Sequence, residues 1–153
     1  MTGRPIAAAG RAALIAFTLL PACGGNAPES EEAEHAFAHA PIYGGQLIEI
    51  GEHFAQVELV HEPGTGKLSA YIWDGHVEHA RPVAMESIRI TIGAYVMKLL
   101  PVSNPLTGDE PGRSSQFEGQ SERLRDVERF EGVLGRMRFG EAQFEETEFH
   151  YGE

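Results

Sequence analysis

The chain has 153 residues, 42% of them hydrophobic, with 12 Lys and Arg against 23 Asp and Glu and a formal net charge of -11. That leaves room for one domain plus extras, and so acidic a balance argues against gripping nucleic-acid phosphates or presenting a polybasic membrane patch. The single cysteine excludes an intrachain disulfide.

The first 22 residues read as an export signal. Arg4 and Arg11 provide a positive start, and Ala12 to Leu20 form an apolar run. Nine residues are too few to span a bilayer, which takes about 20, and suit the apolar region of a secretory signal. Cleavage removes Arg4 and Arg11, which leaves 10 basic against 23 acidic residues, about -13. The run ends at Leu20-Pro21-Ala22-Cys23. Here the sequence resembles the lipobox of bacterial lipoproteins, with Leu three residues before an obligatory Cys and a small residue just before it. Pro21 departs from the usual small or hydroxylated residue. The resemblance implies cleavage before Cys23, lipidation of Cys23 and attachment to a membrane through that lipid. Gly24 carries no inner-membrane retention signal, so the expected destination is the outer membrane, facing the periplasm. Residues 23–40 are polar and acidic without a hydrophobic period, which predicts a flexible tether. It carries His35 and His39, with nothing to suggest that it becomes helical.

Residues 41–153 read as a single all-β domain. Gln46 to Ile50 form a first strand. Val57 and Leu59 alternate with Gln56 and Glu58, and Leu68, Ala70 and Ile72 share one parity, the period of two that marks strands. Pro63-Gly64-Thr65-Gly66 joins them as a four-residue turn. That loop sets Glu62 opposite Lys67, Leu59 opposite Ala70, and Val57 opposite Ile72. Gln56 and Glu58 then fall opposite Trp73 and Tyr71 on a half-polar outer face. Residues 82–85 suggest a short edge strand, and 87–92 and 95–100 two more. Pro101 to Arg113 reads as a long, lid-like loop, followed by a strand near Ser115 to Glu118. Ser121 to Phe130 is the one helical candidate. Residues 133–139 and 142–149 form a closing hairpin about Gly140-Glu141, pairing Arg138 with Gln143 and Arg136 with Glu145. Seven or eight short strands at this spacing predict a small, mostly antiparallel β-sandwich or partly open barrel. Leu47, Val57, Leu59, Ile72, Ile88, Ile90 and Phe139 are its expected core.

From Pro41 onward the pattern resembles a group of largely uncharacterised bacterial lipoproteins. Their features appear here as Tyr43-Gly44-Gly45, Ile50-Gly51, Gln56-Val57-Glu58-Leu59-Val60-His61 and Gly66-Lys67-Leu68-Ser69-Ala70-Tyr71-Ile72-Trp73-Asp74. A similar module precedes the adaptor subunits of some heavy-metal efflux systems. The match covers roughly residues 41–83. Tyr43 stands where that family has a histidine, and the tether holds only two histidines.

No phosphate loop, dinucleotide fingerprint, paired-cysteine motif or nucleophile elbow is present in the sequence. The expectation is therefore a non-catalytic protein. Histidine is the remaining chemistry. The hairpin register, carried outward, sets His53 opposite His76, with His79 in the same loop and Asp74 and Glu78 beside them. Neutral imidazoles with a carboxylate suit zinc, copper or nickel. His61, eight residues from His53 along one strand, is about 26 Å away and cannot share an ion with it. The alternative is that these are exposed loop histidines at strand ends. Two functions follow as expectations. One is a lipid-anchored envelope module that binds another envelope protein or serves structurally. The other is a metal-binding periplasmic lipoprotein using His53, His76, His79 and Asp74, with zinc or copper as the ion.

Overall fold

The computed structural model describes residues 39–152. Ten strands form: β1 (Gln46–Ile50), β2 (Ala55–Glu62), β3 (Lys67–Asp74), β4 (Ile88–Ile92), β5 (Tyr95–Val102), β6 (Gln116–Gln120), β7 (Phe130–Leu134), β8 (Met137–Phe139), β9 (Ala142–Phe144) and β10 (Thr147–Tyr151). Eight of them make one antiparallel sheet in the order β1-β2-β3-β6-β5-β4-β7-β10, and β8 pairs with β9 separately. The end strands β1 and β10 lie against each other, so the sheet is nearly closed into a barrel. Among the described residues there is no α-helix. Residues 75–87 carry the chain across the barrel end. They place β4 three positions from β3, and β5 and β6 fill the space between, a Greek-key-like return.

Hydrophobic alternation builds the interior. Ala55, Val57, Leu59, Leu68, Ala70, Ile72, Ile88, Ile90, Met97, Leu99, Phe117, Leu134, Met137 and Phe149 form one buried cluster. The β2–β3 register is the one expected, from Glu62↔Lys67 through Val57↔Ile72 to Ala55↔Asp74. At the turn, Gly66 takes φ 67°. Strand β1 has the opposite parity to that expected. Ile48 and Ile50 are buried and Leu47 only half so, because pairing Ile48 with Val57 turns the odd-numbered residues away from the core.

Other segments depart from the sequence reading. Residues 82–85 do not form a strand, since only Val83 bridges, to Ser114. The expected helix over 121–130 shrinks to one 3-10 turn, Glu122–Leu124, capped by the Ser121 side chain. It is too short and charged to propagate, and Phe130 is taken into β7. The closing hairpin keeps its register at Arg138↔Gln143, and Arg136 reaches Glu145 at 3.0 Å. Its arms are nevertheless divided, with β7 and β10 in the barrel and β8 and β9 apart. The loop over 103–113 is pinned by Asp109. Its carboxylate accepts from the Asn104 and Ser115 N–H groups and from the hydroxyls of Thr107, Ser114 and Ser115.

The outer face of β2–β3 is not half-polar and solvated. Residues 41–45 lie across it as a strap, and Gln56 and Glu58 are buried beneath. Both oxygens of Glu58 are used. Oε1 accepts from the N–H of Tyr43 (2.7 Å) and Gly45 (3.0 Å), and Oε2 from Ile42 N–H (3.1 Å) and the Trp73 indole (3.2 Å). Tyr43 adds a ring contact at 4.2 Å to Tyr71. A fully buried carboxylate is tolerable only when so completely hydrogen-bonded.

Candidate functional site

The histidines meet at the barrel end where the β1–β2 turn approaches the loop after β3. His53 lies in that turn at φ 57°, a left-handed conformation uncommon for a side-chain-bearing residue. Glu49 supports it. The carboxylate accepts the His53 backbone N–H at 2.8 Å, and the same oxygen lies 3.6 Å from the ring Nδ1. The β2–β3 ladder ends at Ala55↔Asp74, so His53 and His76 are loop residues rather than a ladder pair. The two loops still touch through the backbone. A Cβ added at Gly75 would sit 1.7 Å from the His53 carbonyl oxygen, so only glycine permits this approach. Val77, next after His76, is buried at φ 60°, a rarer conformation still for a β-branched residue.

His39 joins this end of the molecule. Its ring centroid is 6.3 Å from that of His53 and 5.7 Å from that of His76, both edge to face. Nothing in its spacing from the others signals this. It follows from the strap, which begins two residues later and is bound by Glu58.

Asp74 and His79 pair with each other instead. Asp74 Oδ2 lies 3.0 Å from His79 Nδ1, and Oδ1 accepts the Glu78 N–H at 2.9 Å. Burial alone would raise the Asp74 carboxyl. The hydrogen bonds from the Glu78 backbone, the His79 ring and the His79 and His76 backbones outweigh it and hold the group below the usual carboxylate range. Asp74 thus caps the turn over 74–79, whose Asp74 N–H also donates to the His79 carbonyl at 2.9 Å. Of the four residues expected to share an ion, His53 and His76 are neighbours of His39, while Asp74 and His79 form their own pair. As placed, no three His, Cys, Asp or Glu side chains among the described residues already converge on a metal-sized point.

Two further polar features escaped sequence reading. Glu58 is the buried clamp of the strap. His61 is buried at the seam beside β10, with its ring edge-on to Phe130 and Tyr151 and neither nitrogen in hydrogen-bond geometry with a partner. Elsewhere, an open groove of about 350 Å³ runs between Met85, Pro101, Pro111 and Arg113 beside the Asp109 loop.

Cys23 lies outside the described residues, as do the apolar run before it and most of the expected tether. Among the described residues no helix is long and apolar enough to cross a membrane. No protein-family model, curated protein or solved structure matches the chain.

Proposed function

We propose that this chain is a non-catalytic, lipid-anchored β module of the cell envelope. It is held at the periplasmic face of the outer membrane through Cys23 and binds an envelope protein or serves structurally. The observation that carries this reading is the position of the only cysteine, directly behind a nine-residue apolar run and in a Leu-x-Ala-Cys context. The resemblance of residues 41–83 to uncharacterised lipoproteins supports it. So does the Glu58 clamp, which secures the chain just after the tether, where a pull from the anchor would reach the barrel. The test is metabolic labelling with a fatty-acid analogue. The parent should be labelled and cleaved, and Cys23→Ala should be unlabelled and persist as precursor. Equal labelling of the two would end the anchored reading.

A second reading is favoured by a separate observation, the gathering of His53 and His76 around His39. In that reading the module also binds a divalent transition metal such as zinc or copper.

A further inference from the structure

We propose that His39, His53 and His76 form a three-histidine site for a divalent transition metal, zinc or copper, in which the residue preceding the strap supplies the third ligand. This rests on the metal-binding reading and deepens it by naming the ligands.

The distances come first. Two imidazoles bound to one tetrahedral zinc, with Zn–N bonds of about 2.0–2.1 Å, have ring centroids about 5.4 Å apart. His39 stands 5.7 Å from His76 and 6.3 Å from His53. Each of these two pairs exceeds that separation by under about 1 Å, and bringing His53 and His76 onto the same ion takes rotation of their side chains. His53 has half its side chain exposed, so its ring can rotate with little resistance from packing.

The scaffold under the rings is firmer than the rings themselves. Gly75 packs on the His53 carbonyl so closely that no side chain fits between, which fixes the His53 and His76 backbones relative to each other. The strap that follows His39 is held from the other side, through the three N–H donors of Ile42, Tyr43 and Gly45 on Glu58. Two of the three non-glycine residues at positive φ among the described residues, His53 and Val77, lie in these two loops. Such strain persists where the surroundings over-determine it, as they do at ligand clamps.

The electronic setting also fits. A ligating histidine commonly directs one ring nitrogen to a carboxylate and the other to the metal. The Glu49 carboxylate lies 3.6 Å from Nδ1 of His53, so a small shift would set up that relation and leave Nε2 for an ion. Three neutral imidazoles suit zinc or copper better than calcium or magnesium, which prefer oxygen. The net charge of -11 raises the local concentration of any cation. His79 is absent from the set because its ring is engaged by Asp74.

The experiment is a competition titration with zinc and with copper on the full chain in detergent, carrying Cys23→Ala so that no thiol competes. One ion should bind per chain. His39→Ala and His76→Ala should each weaken binding at least about ten-fold, and His79→Ala should leave it within about two-fold. Far-UV circular dichroism checks that each variant is folded, and His39→Gln stands in if His39→Ala is not. Should His39→Ala bind as tightly as the parent, the inference is overturned. If His79→Ala is then the weakened variant, the metal-binding reading survives with other ligands. If the parent binds neither ion, both fall together, and the anchored-module reading is untouched.

Discussion

His61 shows how one residue can make the fold sensitive to acid. Its ring is enclosed by Phe130 and Tyr151, and neither nitrogen is in full hydrogen-bond geometry with a partner. Burial therefore holds it below the usual imidazole value, and the Leu124 backbone and the Glu62 carboxylate, which favour the charged ring, offset this only in part. The sign of the effect follows. The unfolded chain takes up a proton near pH 6.5 and the folded chain only at lower pH, so stability is complete above 6.5. It falls as pH drops from there towards the folded value, then levels off. Urea midpoints measured at pH 7.5, 6.0 and 5.0 should decline for the parent. His61→Leu should flatten that decline and leave stability at pH 7.5 within about 1 kcal/mol, since it removes an unpartnered buried polar group. An unchanged slope in the variant would assign the acid sensitivity elsewhere. Asp74 and Asp109, both held below the ordinary carboxylate value of 3.8, add stability that is lost only at lower pH. They do not confuse this window.

At the scale of elements, the strap over 41–45 is the least expected part of the fold. It has no ladder of its own, and Ile42 and Tyr43 remain about half exposed. What holds it is a single carboxylate on β2 together with the Tyr43–Tyr71 ring contact. Glu58→Gln keeps the shape but replaces a charged acceptor with an amide, half of which donates towards other donors. It should lower stability by about 1–3 kcal/mol. The same variant should release the strap locally, so that a protease cuts after Tyr43 faster than in the parent while the barrel stays whole. Equal cleavage rates would mean that the aromatic contact alone suffices. Because His39 precedes the strap, this variant should also weaken metal binding without touching a ligand.

At the scale of the whole molecule, the question is how an eight-stranded sheet protects its edges. Strands β1 and β10 end the order and lie side by side. Unpaired strand edges invite association, and closure removes them. The seam is reinforced where the His61 backbone N–H on β2 donates to the Tyr151 hydroxyl on β10 at 3.0 Å and the two rings meet edge-on at 5.8 Å. Tyr151→Phe should lose only the hydrogen bond, about 1 kcal/mol. Tyr151→Ala also loses the ring that faces His61 and should lower stability by about 2–4 kcal/mol and raise the tendency to aggregate. Light scattering on heating, alongside urea midpoints, checks both. If the two variants behave alike, the ring does not hold the seam.

Much of this architecture is written in short-range pattern. Period two, the Pro63–Gly66 turn and the Gly140-Glu141 turn are local, and each fixes which residues face one another across its hairpin. The all-β class, the β2–β3 register and the Arg136–Glu145 pair are therefore readable from residues a few positions apart. Charge shows the acidic balance in the same way, and the placement of Cys23 is what the anchoring proposal rests on. Three matters depended on residues distant in the chain. Strand order was one, because alternation says which face is buried but not which strand comes next to β3. The fate of Glu58 was another, since a charge at an outward parity reads as solvated until a remote segment covers it. The last was the partner of His53. Pattern extended the hairpin ladder to His76, but the backbone turned at His53 and Gly75, and the space beside both rings was taken by His39, brought there by a strap held by residues remote in the chain, the Glu58 carboxylate and the Tyr71 ring.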